Sequence, residues 1–274
     1  MSRTAIIAGQ GALPVILAAR LRAEGADFLL AELEGCPWEV AGPDKLRFRI
    51  ERLAPFLDDL LEKGVGRAVF AGAVRRPRLD PELFDAGTAA LVPRLLAAMQ
   101  AGDDAALRGV IAIFEQWDIE VVGVDAVIPD LVPGQGLLAG APTRDDRQDA
   151  ARAAGIVASL GAADIGQAAI VAQGLCLAVE TLPGTDAMLE FAARHGAALR
   201  PRPDGARGVL YKAPKPGQDR RVDLPTLGLA TVKAAAAAGL AGIAWQAGGV
   251  ILLDRAAMIA EAERSGLFLW ACAP

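Results

Sequence analysis

Short apolar runs of β-type composition alternate with helical stretches through the first half of this chain, and that alternation limits the fold more than any other feature. Residues 4–8 form the first run, which ends in Gly9-Gln10-Gly11-Ala12-Leu13-Pro14. Residues 14–23 then read as a helix, with proline in the first turn where its missing N–H costs little. A second strand is read at 28–33, a helix at 53–63, and a third strand at 68–71 closed by Gly72. Helices at 89–100 and 105–116 and a strand at 120–124 complete the series. Strands and helices in alternation imply a parallel sheet covered on both faces. The expected fold class is α/β, with an N-terminal Rossmann-like parallel sheet.

The pattern lapses over residues 127–144, IPDLVPGQGLLAGAPTR and its flank, with three prolines and several glycines. A chain of 274 residues fits two ordinary domains. The expected division is therefore 1–134, a nucleotide- or substrate-binding domain, and 135–274, a mixed α/β domain. In the second, 145–161 reads as a helix and 168–182 as a hairpin about Gln173-Gly174. Residues 185–195 read as a helix with Thr185 or Asp186 as its cap. A strand at 209–212, a helix at 229–238, strands at 243–245 and 250–253 around Gly248-Gly249, a helix at 255–265 and a strand at 267–270 follow.

Residues 211–228, YKAPKPGQDRRVDLPTLG, are what such a fold does not by itself explain. Lys212, Lys215, Arg220 and Arg221 lie among Gln218, Asp219 and Asp223, and Pro214, Pro216 and Pro225 hold them on a rigid non-helical track. Four cations facing two carboxylates suit a phosphate-bearing ligand, with room for a bridging divalent metal. A solvated surface loop is the alternative. The apolar strand that enters and the apolar helix that leaves argue for a site.

Composition narrows the partners. The net charge of −5 argues against a general nucleic-acid binder, so a local cationic patch here meets a small anion. Hydrophobic residues at 53% with aromatics at 5% require aliphatic cores. Cys36, Cys176 and Cys272 are far apart and form no CxxC or Cys/His spacing, which supports neither a disulfide framework nor a zinc site. A reducing cytoplasm is the expected compartment. The opening apolar run is too short for a signal peptide, and no long apolar span is present. A soluble chain, or one attached at a membrane surface, is expected.

Other constellations carry chemistry. Gly9-x-Gly11 between a strand and a helix lets backbone approach a phosphate at a helix N-terminus, although Pro14 replaces the third glycine of a dinucleotide motif. Glu32 and Glu34 are candidates for a ribose contact. Asp103 caps the helix after Gly102, and Asp104 is left for a ligand or metal. Glu180 follows an apolar strand and can face a cleft. His195, the only histidine, suits a helix C-terminus. With no histidine base, the chemistry left is that of carboxylates, lysine and metal.

Taken in order, IAGxGxLP, GDD, DIGQ, LAVE with GTDAML, and KAPKPxQDxRVDLPTxG resemble the LpxI-type UDP-2,3-diacylglucosamine pyrophosphatases of Gram-negative lipid A biosynthesis. The resemblance runs over nearly the whole chain. It implies a two-domain cytoplasmic enzyme, peripheral to the inner membrane. Such an enzyme cleaves UDP-2,3-diacylglucosamine with water and Mg²⁺ to UMP and 2,3-diacylglucosamine 1-phosphate, lipid X. It places the key catalytic aspartate at Asp223 and the substrate between the domains. Gly9, Gly11, Ala12 and Leu13 would help hold the substrate, with Asp103, Gln167, Thr185 and Asp186 in reach. Lys212 and Lys215 are expected at the diphosphate. Asp223 would bind Mg²⁺ or orient water, with Asp104 or Glu180 completing the metal shell. Two departures stand out: Ala73 replaces a frequent polar residue, and Pro183 precedes Gly184 where EGTD is common. An NAD(P) oxidoreductase and a non-catalytic nucleotide-sugar sensor are the alternatives. The aliphatic second half is compatible with a homodimer.

Overall fold

The computed structural model describes residues 2–36, 45–74, 79–100 and 103–273, with the side chains of 103 and 104 outside the description. The chain forms two compact units, Met1–Pro129 and Asp130–Pro274. The division falls just before the 134/135 position read from sequence.

Unit one runs β1 (Arg3–Ala8), α1 (Leu13–Ala23), β2 (Phe28–Leu33), β3 (Lys45–Phe48), α2 (Leu53–Glu62), β4 (Val65–Ala71), α3 (Ala86–Gln100), α4 (Asp103–Gln116), β5 (Glu120–Val122) and a one-turn α5 (Val124–Val127). Its sheet has the order β3-β2-β1-β4-β5 and is parallel throughout. Strands buried on both faces need no polar alternation, which is why β1 and β2 read as apolar runs, interrupted in β2 only by Glu32. The helices differ: α2 buries Leu53, Phe56, Leu57 and Leu60, one stripe at helical spacing. Phe48 stacks on Phe56 at 3.9 Å, and Phe114 meets Phe70 edge-on at 5.2 Å. Leu57 is fully buried, so truncating it to alanine costs about 2–5 kcal/mol.

Unit two runs β6 (Gly136–Ala139), α6 (Arg144–Ala162), β7 (Ala168–Ala172), β8 (Leu175–Val179), α7 (Gly184–Leu199), β9 (Val209–Lys212), β10 (Thr226–Leu227), α8 (Leu229–Ala237), β11 (Gly242–Gln246), β12 (Ile251–Leu252), α9 (Arg255–Ser265) and β13 (Phe268–Cys272). The main sheet has the order β6-β13-β11-β9-β7-β8. Its parallel centre, β9, β11 and β13, is flanked by antiparallel β6 and by the antiparallel hairpin β7–β8. One face packs Leu210, Ile243 and Trp245 against Met188, Val232 and Met258 of α7, α8 and α9. The other packs Val209, Tyr211 and Ala244 against Ala150, Ala153 and Val157 of α6. Thr143 and Asp146 close a capping box at the start of α6, satisfying amides that the helix leaves orphaned.

Three features depart from the sequence reading. β3 and β6 are strands that it did not register; β6 carries glycine and lies at a sheet edge, where the apolar pattern is weak. The strands around Gly248-Gly249 do not pair with each other. β11 belongs to the six-stranded sheet, whereas β12 pairs in parallel with β10. Finally, Thr185 and Asp186 do not cap α7. Its N-cap is Pro183, without a side-chain cap hydrogen bond, and the Thr185 hydroxyl is used elsewhere. No helix among the described residues is long and apolar enough to cross a membrane.

Candidate active site

In unit one the chain order of the sheet reverses between β1 and β4, and ligands of open α/β sheets bind beyond the carboxyl ends of strands at such a point. Two glycine turns meet there. Gly9 N–H donates to Ala71 O at 2.8 Å, and Gln10 and Ala73 exchange amide hydrogen bonds at 2.8 and 2.9 Å. A Cβ on Gly9 would stand 2.6 Å from Ala73 O, and one on Gly72 2.4 Å from Gln10 O. These glycines are required by the crossing of two backbones. Gly11 is different: it has φ +103 and open space where a Cβ would point. Ala12 is the N-cap of α1 and Leu13 its first residue, buried, and no side chain caps this end. Glu32 is buried and ion-paired with Lys45 and with Arg47, the latter at 2.9 Å. The carboxylate that a ribose contact would need is thus already held by two cations. Glu34 reaches Arg49 at 3.4 Å. Asp103 begins α4; the side chains of Asp103 and Asp104 lie outside the described residues.

In unit two the candidates gather at the carboxyl end of β9. Lys212 pairs across the sheet with Ala168 of β7 and with Trp245 of β11. Strand alternation puts its side chain on the face of Leu210, under the start of α7. There Lys212 Nζ donates to Thr185 Oγ1 at 2.7 Å and lies 3.7 Å from Glu180 Oε2. The Thr185 hydroxyl in turn donates to Glu180. Lys212 and Glu180 are both buried. Burial lowers the Lys212 pKa, and the charges of Glu180 and Asp186 oppose that shift. Four sequence candidates, Glu180, Thr185, Asp186 and Lys212, therefore share one cluster.

Gln167 joins this edge through its backbone, where its carbonyl accepts from Ala213 N–H at 3.1 Å. The side-chain Oε1 of Gln167 and the Nε1 of fully buried Trp245 are without hydrogen-bond partners among the described residues. Buried orphans of this kind are uncommon, and a water or a ligand would complete their bonding. Gly166 makes the approach of the two segments possible, since a Cβ there would be 2.1 Å from Glu180 O.

The loop after β9 holds the second group. Lys215 Nζ binds Asp164 Oδ1 at 2.6 Å, and Asp164 has φ 55, a left-handed conformation that Asp tolerates better than most residues. Gln218 links two points of the loop: its Oε1 accepts from Lys215 N–H at 3.0 Å and its Nε2 donates to Asp223 Oδ2. Asp223 N–H donates to Asp219 O at 3.2 Å, and Asp219 is paired with Arg221 at 2.8 Å. Asp223 is half-buried and stands just before β10 and α8.

The lysines of the cationic track are paired in the fold. Asp164, Glu180 and Asp186, distant in sequence, come to the same end of the sheet. Glu180 and Asp186 act on Lys212, and Asp164 pairs with Lys215, so these two ammonium groups meet carboxylates that the loop itself does not contain. Among the described residues no three His, Cys, Asp or Glu side chains converge as a preformed metal cage. The sequence reading did not register Trp245 as part of this edge; an apolar strand gives no signal of an unpaired indole N–H. His195 packs on Phe191, ring centroids 4.7 Å apart, on the exposed side of α7.

Family models agree with this division of the chain. A model described as the LpxI N-terminal domain matches residues 3–131, and one described as the LpxI C-terminal domain matches residues 134–270. A protein of Caulobacter vibrioides, UDP-2,3-diacylglucosamine pyrophosphatase LpxI, is 40% identical over 275 residues, covering 98% of this chain and 97% of that protein.

Proposed function

The chain belongs to the LpxI family, and from that premise we propose that it hydrolyses the diphosphate of UDP-2,3-diacylglucosamine. The products are UMP and 2,3-diacylglucosamine 1-phosphate, with Asp223 as the catalytic residue. The relative from Caulobacter vibrioides carries the name of this activity. The observation that carries the reading here is the charge balance at the end of β9. Lys212 is committed to Glu180 and Thr185, and Lys215 to Asp164. A diphosphate brought to two ammonium groups that are already paired with carboxylates needs a further positive charge.

Mg²⁺ fits that requirement, because it binds through one or two carboxylates together with substrate phosphates and several waters. Asp223 is the residue that would hold it, with Glu180 as the further ligand of the proposal. When bound, the ion neutralises charge developing on the phosphate oxygens and acidifies a coordinated water. The chain's own residues do the rest. Gln218 fixes the Asp223 carboxylate through its amide, so that one carboxylate oxygen is oriented before substrate arrives. Lys212 supplies a buried ammonium, whose effect on a phosphate oxygen exceeds that of a solvated lysine. Thr185 fixes that ammonium, and Gln167 offers its amide to the substrate. Gly11, Ala12 and Leu13, at the start of α1, are the proposed substrate contacts of unit one. A cytoplasmic enzyme peripheral to the inner membrane, acting as a homodimer, completes the proposal.

The test is product analysis with UDP-2,3-diacylglucosamine in Mg²⁺ and in chelator, beside Asp223→Ala. Metal-dependent release of UMP, reduced about 10²–10⁴-fold in the variant with nucleotide binding retained, is the expected result. Tight UDP binding with no turnover at any metal concentration would instead leave a nucleotide-sugar sensor.

A further inference from the structure

Immediately beside Glu180 and Thr185 the surface of unit two becomes apolar. A groove of about 420 Å³ runs between β8 and the first turns of α7. Leu177, Val179 and Met188 line it together with Pro183, Ala187 and Phe191. Met188 and Leu177 are buried, whereas Phe191 is 47% exposed, and Leu182, next in the chain to the lining residues Thr181 and Pro183, is fully exposed. β8 is the terminal strand of its sheet, and Leu175 at its start is also exposed. Single exposed apolar side chains need no account, but a gathering of them around a groove does.

The near end of the groove is where the charged cluster begins. Thr181 and Gly184 line it, and they are chain neighbours of Glu180 and Thr185, which hydrogen-bond to each other and reach Lys212. A ligand with a phosphate at Lys212 and an apolar chain in this groove would carry the two on neighbouring parts of one molecule, since Thr185 and Glu180, which hold Lys212, are chain neighbours of the lining residues Gly184 and Thr181. That is the layout of a sugar phosphate acylated on its ring. A flat lipid surface or a second copy of the chain has no need of a groove whose end residues, Thr181 and Gly184, adjoin a charged cluster. We infer that the groove between β8 and α7 receives one acyl chain of the substrate and sets the chain length the protein accepts. This inference rests on the function proposed above.

The experiment compares KM for substrates carrying short, medium and long acyl chains, using the wild-type protein, Ala187→Trp and Phe191→Asp. Neither residue belongs to the charged cluster. Each buried methylene changes affinity by roughly fourfold, so in the wild type KM falls steeply with chain length until the groove is full. In both variants that dependence flattens, while kcat at saturating substrate stays within about twofold of wild type. Phe191→Asp changes an exposed side chain, so it reports even if the bulkier indole introduced by Ala187→Trp disturbs packing; thermal melting identifies any unfolded variant. Unchanged chain-length dependence in either folded variant overturns the inference. So does a loss confined to binding of anionic vesicles, or to self-association, which would give the groove to a membrane or to a second copy. If wild-type protein releases no UMP, the hydrolase reading fails separately. Calorimetric binding of acylated against deacylated glucosamine 1-phosphate then decides the groove by the same comparison of variants.

Discussion

Lys212 Nζ donates to Thr185 Oγ1 at 2.7 Å, tying the end of β9 to the first turn of α7. A hydroxyl has one proton to give and two lone pairs to offer. Accepting from Lys212 therefore leaves the Thr185 proton for Glu180, and two segments distant in sequence, 180–185 and the end of β9, share one polar chain. Removing the ammonium would strand a buried carboxylate. Lys212→Met is expected to destabilise unit two by about 3 kcal/mol or more, and Glu180→Gln added to it recovers part of the loss. Denaturant titration of the single and double variants measures both. Equal stability of wild type and Lys212→Met would show that the pair contributes nothing.

The same burial sets a pH dependence. Lys212 loses its proton below the ordinary 10.5 because desolvation outweighs the help of Glu180. Its folded pKa lies under its unfolded one, so between the two values the unfolded chain holds more protons and stability rises with pH. Activity should move the other way: the alkaline limb of kcat/KM falls below 10.5, as the ammonium is lost. Lys212→Arg removes that limb, because guanidinium does not titrate there. A limb unchanged in Lys212→Arg assigns it to another group.

Gln218 holds Asp223 through its side-chain amide and Lys215 through its side-chain oxygen. Gln218→Ala is expected to lower kcat by about 10–100-fold, in line with other groups that orient a metal-binding side chain. Melting temperature should hardly change, since the loop is partly exposed. The informative readout is the Mg²⁺ concentration for half-maximal rate, which rises if Gln218 orients Asp223 and stays constant if its role is confined to the loop.

Gly9 and Gly11 should separate by phenotype. A methyl on Gly9 meets the carbonyl of Ala73, so Gly9→Ala is expected to cost unit one about 1–3 kcal/mol. Gly11→Ala meets open space, and its cost is backbone strain at φ +103, about 1 kcal/mol. Its effect should appear in KM if Gly11 faces substrate. Thermal melts with steady-state kinetics distinguish the two; a larger stability loss in Gly11→Ala would contradict the crossing.

Thr143→Ala breaks the capping box of α6 and should cost about 1 kcal/mol. Activity should be unaffected, which makes it a control for stability loss without loss of the site.

Much of the fold was legible because it rests on local rules. The runs at 28–33, 209–212 and 255–265 match β2, β9 and α9 as observed, since strand and helix periodicity and caps such as Asp254 and Gly266 are written in neighbouring residues. β10 and β12 were not legible as a pair, because two-residue strands carry no periodicity. Thr185 looked like a cap for the same local reason, and the demand of buried Glu180 and Lys212 overrode it.

The sequence by itself determined the alternation that makes unit one a parallel sheet, the motifs that place the chain in its family, and which residues are candidates for the site. Tertiary structure alone decided which carboxylates meet its lysines. Asp164, Glu180 and Asp186 lie far from Lys212 and Lys215 along the chain, and only the pairing of β7 with β9 and the hairpin to β8 bring them together. Charge interactions depend on distance through space and on burial, neither of which is encoded in the spacing of residues along the chain.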